Sequence, residues 1–149
     1  MSDKLQKALT ARCNWLFIAA LGLMVTLAAC GGEPAVDPVE IGNPERGREL
    51  HETGGGVFSR DLGRGCSICH SLDGEIALSP QFAAPSFQGI SERAGDRVPG
   101  LSAVEYLRQS IVDPSAYVVE GFEDHMPKSF RILINEEDID NLVAFLLTQ

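Results

Sequence analysis

Cys66-Ser67-Ile68-Cys69-His70 sets two thiols three positions apart, with an imidazole directly after the second. A C-x-x-C pair alone reads as a redox dithiol or as half of a zinc site. The zinc reading needs a second ligand pair, and no further C-x-x-C or H-x-x-x-H occurs in the chain. The dithiol reading needs a βαβ setting, and nothing around Gly65 alternates in that way. The histidine changes the chemistry. Each thiol can add across one vinyl group of a haem, and the adjacent imidazole then falls on the iron as its fifth ligand. C-x-x-C-H is the attachment pattern of c-type haem. Cys66 and Cys69 are therefore expected to form thioethers to one covalent haem c, with His70 an axial iron ligand.

The other two of the four cysteines are Cys13 and Cys30. Lys4, Lys7 and Arg12 precede an uncharged apolar run from Trp15 to Ala29. Its length suits a signal-peptide core and falls short of the ~20 residues that span a bilayer. The run ends in Leu27-Ala28-Ala29-Cys30, which resembles the lipobox of bacterial lipoproteins, where cleavage precedes a lipid-modified cysteine. An ordinary secretory signal and an uncleaved anchor are the alternatives. No Arg-Arg pair precedes the run, so export by the general secretory route is expected. Residues 1–29 are thus read as a removed signal peptide, 30–42 as a lipidated cysteine with a flexible linker, and 43–149 as the functional domain. The linker includes a glycine-, proline- and acid-rich leash from Gly31 to Glu40, expected to lack order. The mature protein is expected on the extracytoplasmic, periplasmic face of a bacterial membrane, held there by Cys30.

Removing Lys4, Lys7 and Arg12 together with Asp3 moves the formal charge from −9 to −11. That balance argues against nucleic acid and against a basic lipid-binding face. Two arginine pairs, Arg46/Arg48 and Arg60/Arg64, are too diluted by acids to reverse it. Excess acid favours a basic partner, or simply solubility. From Asn43 to Gln149 there is room for one small domain.

The domain reads as all-α. Asn43-Pro44-Glu45 opens a helix, with asparagine as N-cap, proline at the first position and an acid in the first turn. It is expected to run past Gly47 and Leu50 to His51 and to stop at Thr53 and Gly54-Gly55-Gly56. Ser102 and Glu105 form a capping-box pair at the start of a second helix. Ala103, Leu107 and Ile111 share one face, and Asp113-Pro114 closes it. A last helix begins at Asn135, with Glu136, Glu137 and Asp138 at the positive end of the dipole. Ile139, Leu142, Val143 and Leu146 then recur at helical spacing.

With these elements in place, residues 43–149 resemble a class I cytochrome c domain, a small helical fold wrapped around one haem. The resemblance implies that the first and last helices cross at close range, with Gly47 meeting Phe145 and Leu142 beside them. It also implies that Pro85, in Pro85-Ser86-Phe87-Gln88-Gly89, offers its carbonyl to the Nδ1 of His70, fixing the ring and raising its basicity. Two features depart from the family pattern. The loop between His51 and Cys66 is longer than in compact members, and His51 stands where the first helix usually carries an aromatic residue.

A second axial ligand should be soft if the iron is to carry electrons at raised potential. Of the three methionines, Met1 and Met24 fall in the signal, leaving Met126. It lies in Gly121-Phe122-Glu123-Asp124-His125-Met126-Pro127, and its Met-Pro pair resembles the axial-ligand loop of the family. His125 competes, since imidazole also binds iron, but it reads better as a solvated loop residue. His51 reads as a partly buried packing residue, and Tyr106 and Tyr117 as core aromatics. What the resemblance implies is an electron-transfer protein rather than an enzyme, with no small-molecule substrate. It would be a lipid-anchored mono-haem carrier between respiratory or photosynthetic membrane complexes. The alternatives are a fixed mono-haem subunit of a larger assembly, of alternative complex III or oxidase type, and a haem-based sensor or peroxidase-like catalyst in which Met126 is labile.

Overall fold

The structure, a computed structural model, describes residues 37–56, 65–75 and 83–149. The expected signal peptide, Cys30 with most of the linker, and the arginines Arg60 and Arg64 lie outside the described residues. Among the described residues every regular element is helical and no strand occurs, so the domain is all-α. No helix among them is long and apolar enough to cross a membrane.

Asp37 caps one helical turn, α1 (Pro38–Ile41), by accepting from the Val39 N–H at 3.0 Å, and Pro38 fills the first position. This turn falls within the stretch that the sequence reads as leash and linker. The same Asx-then-proline logic that starts the next helix works here on a single turn, too short to show periodicity.

Helix α2 (Pro44–Thr53) starts as its sequence predicts, with the Asn43 side chain accepting from the Arg46 N–H at 3.1 Å. Gly54, at φ 77°, ends it in the left-handed conformation that favours glycine. A short turn, α3 (Ile90–Arg93), follows the Pro85 segment and runs on into a 3-10 turn over Ala94–Asp96 that contains Gly95. Helix α4 (Ala103–Val112) carries the full capping box: Ser102 accepts from the Glu105 N–H, and the Glu105 carboxylate accepts from the Ser102 N–H at 2.8 Å. Asp113 ends it ahead of Pro114. One more turn, α5 (Phe130–Leu133), leads into α6 (Glu136–Leu146), which Asn135 caps through the Asp138 N–H at 2.8 Å.

The core lies where α2 and α4 pack on α6. Phe145, Leu50, Ile139 and Val143 are its largest fully buried side chains, each stabilising the fold by about 1.5–3 kcal/mol through burial alone. The α2–α6 crossing is close because of Gly47. A Cβ there would collide with the Asn141 carbonyl and sit 2.6 Å from the Phe145 Cβ. Gly42 serves the same end, since a Cβ on it would lie 2.8 Å from the Asn141 nitrogen. Two polar bonds fasten the crossing. The Asn43 N–H donates to Asn141 Oδ1 at 2.7 Å, and Arg46 Nε donates to Asp138 Oδ1 at 3.1 Å. Tyr106 is buried on α4 as expected. Tyr117 is not a core residue: it is exposed, and its ring meets Tyr106 edge-on at 6.0 Å.

Candidate functional site

The Cys66–Ile68 turn rests on the C-terminal end of α2. The His70 and Cys69 N–H groups both return to the Cys66 carbonyl, at 2.9 and 3.1 Å, which folds the five-residue motif into one tight turn. Gly65 lets it approach the helix, because a Cβ there would collide with the carbonyls of Leu50 and His51. Ser67 Oγ donates to the Glu52 carbonyl at 3.2 Å, and His51 Nε2 lies 3.1 Å from the His70 carbonyl. The turn is seated on α2 from three sides.

His70 is held from its ring as well. Its Nδ1 donates to the Pro85 carbonyl at 2.8 Å. A carbonyl can only accept, so Nδ1 carries the proton and Nε2 keeps a free lone pair. Phe87 stacks on the ring at 4.3 Å and 4° between planes. The segment that supplies both contacts is itself fixed. The Phe87 N–H donates to the Ser71 carbonyl at 2.8 Å, Ser86 Oγ donates to the same carbonyl at 3.1 Å, and Arg93 Nη2 donates to the Ser86 carbonyl at 2.7 Å. Burial lowers the pKa of His70, with the Pro85 bond opposing it, so the imidazole is held neutral.

His51, Cys66, His70 and Met126 line one apolar cavity, whose other walls include Phe87, Ile111, Phe130 and Leu142. Residues 56 positions apart in the chain thus bring an imidazole and a thioether to the same apolar space. Burial pushes the Cys66 thiol up to about 11, so it is un-ionised at neutral pH. Cys69 is also raised by burial, and no disulfide joins the two. His125 points elsewhere: its Nε2 pairs with Glu123 Oε2 at 2.8 Å on an exposed loop. Beside it, Lys128 Nζ donates to the Met126 carbonyl at 2.9 Å and pairs with Asp124, which accepts from Ser115 at 2.9 Å.

The donor set fits a covalently attached haem. A neutral imidazole with a free Nε2, a thioether, a cysteine thiol at the cavity and a second thiol on the same turn are the groups such a cofactor requires. Cys66, His70 and Met126 are brought together, Pro85 stands behind His70, and Cys69 lies on the motif turn. Phe87, Gly65, Ser67 and the His51 bond were not anticipated. Of these, only Gly65 carried a local signal, as a glycine placed immediately before the motif. No protein-family model matches the chain, and a search of curated proteins finds no match.

Proposed function

We propose that residues 37–149 form a class I c-type cytochrome domain, and that the protein is a mono-haem electron carrier held by lipid at Cys30 on the periplasmic face of a bacterial membrane. The observation that carries this reading is the His70 Nδ1–Pro85 carbonyl bond at 2.8 Å, made by a histidine that shares its cavity with Cys66 and Met126. Haem c, bound through thioethers to Cys66 and Cys69, would supply a one-electron iron couple.

Each residue then has a defined task. His70 would hold the iron through Nε2, kept neutral by burial and oriented by Pro85 and Phe87. Met126 would hold it through its sulfur, on a loop stiffened by Pro127 and tied through Lys128 and Asp124. The apolar walls exclude water, which keeps the site's dielectric low and its reorganisation small. Because His70 and Met126 would both hold the iron, the protein's role would be to pass electrons to and from partner proteins rather than to bind a substrate. Its acidic charge suits a basic partner.

A fixed subunit of a membrane assembly is the second reading. It is favoured by Ile132 and Leu133, which leave 80% and 50% of their surface exposed on α5, a few residues past Met126. Two measurements test these readings. Acid–acetone extraction with intact-mass analysis should find one haem that stays with the chain; freely extractable haem refutes the cytochrome reading. Purification in mild detergent should separate a mobile carrier from a subunit that co-migrates with a complex.

A further inference from the structure

Building on the cytochrome reading, we propose that His51 is a positioning residue for His70: its Nε2–H holds the His70 carbonyl, so the axial histidine is gripped at its backbone as well as at its ring. His51 lies one helical turn after Gly47, on the face of α2 that crosses α6, and is only 3% exposed. Its ring sits between Phe87 and Phe145, with centroids 5.8 and 5.4 Å away. Packing alone does not account for an imidazole there. Phenylalanine would fill the same aromatic slot without desolvating two ring nitrogens. One nitrogen has a use: Nε2 reaches the His70 carbonyl at 3.1 Å, and because that partner only accepts, Nε2 bears the proton. Nδ1 is buried with no hydrogen-bond partner among the described residues. The fold thus carries an unsatisfied acceptor in its core to keep one donor on His70.

That donor completes a frame. The His70 carbonyl, ring Nδ1 and ring face are held by His51, Pro85 and Phe87 respectively. Loss of the carbonyl bond lets the end of the motif turn shift and lengthens the His70–Pro85 bond. A weaker bond at Nδ1 makes the imidazole a poorer donor, which favours the reduced metal.

The test compares His51→Phe, which keeps the aromatic packing and removes the donor, with His51→Gln, whose amide can reach the same carbonyl. Two quantities are read on the purified haem protein: the reduction potential, and the ¹⁵N-histidine NMR spectrum of the diamagnetic ferrous state. His51→Phe should raise the potential and move the His70 Nδ1–H resonance upfield, the direction of a weaker hydrogen bond. His51→Gln should stay nearer the parent in both. If His51→Phe matches the parent, or His51→Gln moves as far as His51→Phe, His51 only fills space and the proposal is overturned. Should His51→Phe not fold, the parent spectrum decides: an Nε2–H tautomer at His51 supports the proposal and an Nδ1–H tautomer refutes it. A preparation without covalent haem refutes the cytochrome reading separately, while the His51 tautomer is still read on the chain itself.

Discussion

Replacing Gly47 by alanine tests the α2–α6 crossing at its narrowest point. In the interior of a helix this exchange ordinarily stabilises by about 1 kcal/mol, since alanine has the better propensity. Here the new methyl would collide with the Asn141 carbonyl and approach the Phe145 Cβ to 2.6 Å. A backbone carbonyl cannot rotate away as a side chain can, so the helices must move apart. Overpacking of this kind costs about 1–3 kcal/mol. Separation also stretches the Asn43–Asn141 bond, worth roughly 1 kcal/mol. Offset by the propensity gain, the net loss is about 2 kcal/mol, which lowers the melting temperature of a domain this size by roughly 8–16 °C. The assay is thermal and urea unfolding followed by circular dichroism on the haem-loaded protein. Gly95→Ala is the control, because a Cβ there meets only Ala103, at 3.7 and 3.9 Å. A Gly47→Ala protein as stable as its parent, or equal losses in both variants, would refute the close-crossing argument.

The other predictions concern separate parts of the chain. Met126→Ala should lower the reduction potential and let the ferrous protein bind carbon monoxide readily, whereas His125→Ala should change neither; the reverse pattern would move the axial ligand to His125. Cys30→Ala should release the protein from membranes with its absorption spectrum unaltered, and retention in the pellet would point to an uncleaved helix or a docked partner. Ser102→Ala should lower the melting temperature by roughly 4–8 °C at neutral pH. The backbone N–H of Ser102, and secondarily its hydroxyl, hold the Glu105 carboxyl below its usual range. A carboxylate with depressed pKa stabilises the fold above its unfolded pKa and loses that contribution as pH falls. Alanine keeps the backbone N–H and loses only the hydroxyl's share, so the melting-point gap between parent and Ser102→Ala should narrow in acid by that share, and a gap constant down to pH 3 would sink the account.

The helices that could be read in advance are those whose ends announce themselves within four residues. Asn43-Pro44, Ser102 with Glu105, and Asn135 each satisfy a local backbone N–H, and the sequence holds donor and acceptor side by side. The apolar repeat from Ile139 to Leu146 is local in the same sense. Turns of four residues, such as α3 and α5, are too short to develop a period. The motif itself was legible because its chemistry is compressed into Cys66–His70. Its surroundings were not: the His51–His70 and Phe87–His70 contacts join residues 19 and 17 positions apart. Tyr117 was misplaced because an aromatic residue near a helix end looks the same whether it faces the core or the solvent. Pro85 was found only through resemblance, since nothing in its neighbours says where its carbonyl points.

Gly54 and Gly65 flank the chain between α2 and the motif, and they lie against each other: a Cβ on Gly65 would come within 2.7 Å of the Gly54 nitrogen. Arg46 Nη2 secures the near side by donating to the Gly55 carbonyl at 3.2 Å, and on the far side Gly65 packs closely against the carbonyls of Leu50 and His51. The two ends are thus fixed by the helix rather than by the chain that joins them. For such a closed loop, doubling the number of residues adds only about 0.6 kcal/mol of closure entropy. The register of Cys66, Cys69 and His70 on α2 is set by contacts at these two ends, so a peptide tag spliced between positions 56 and 65 should leave the motif seated.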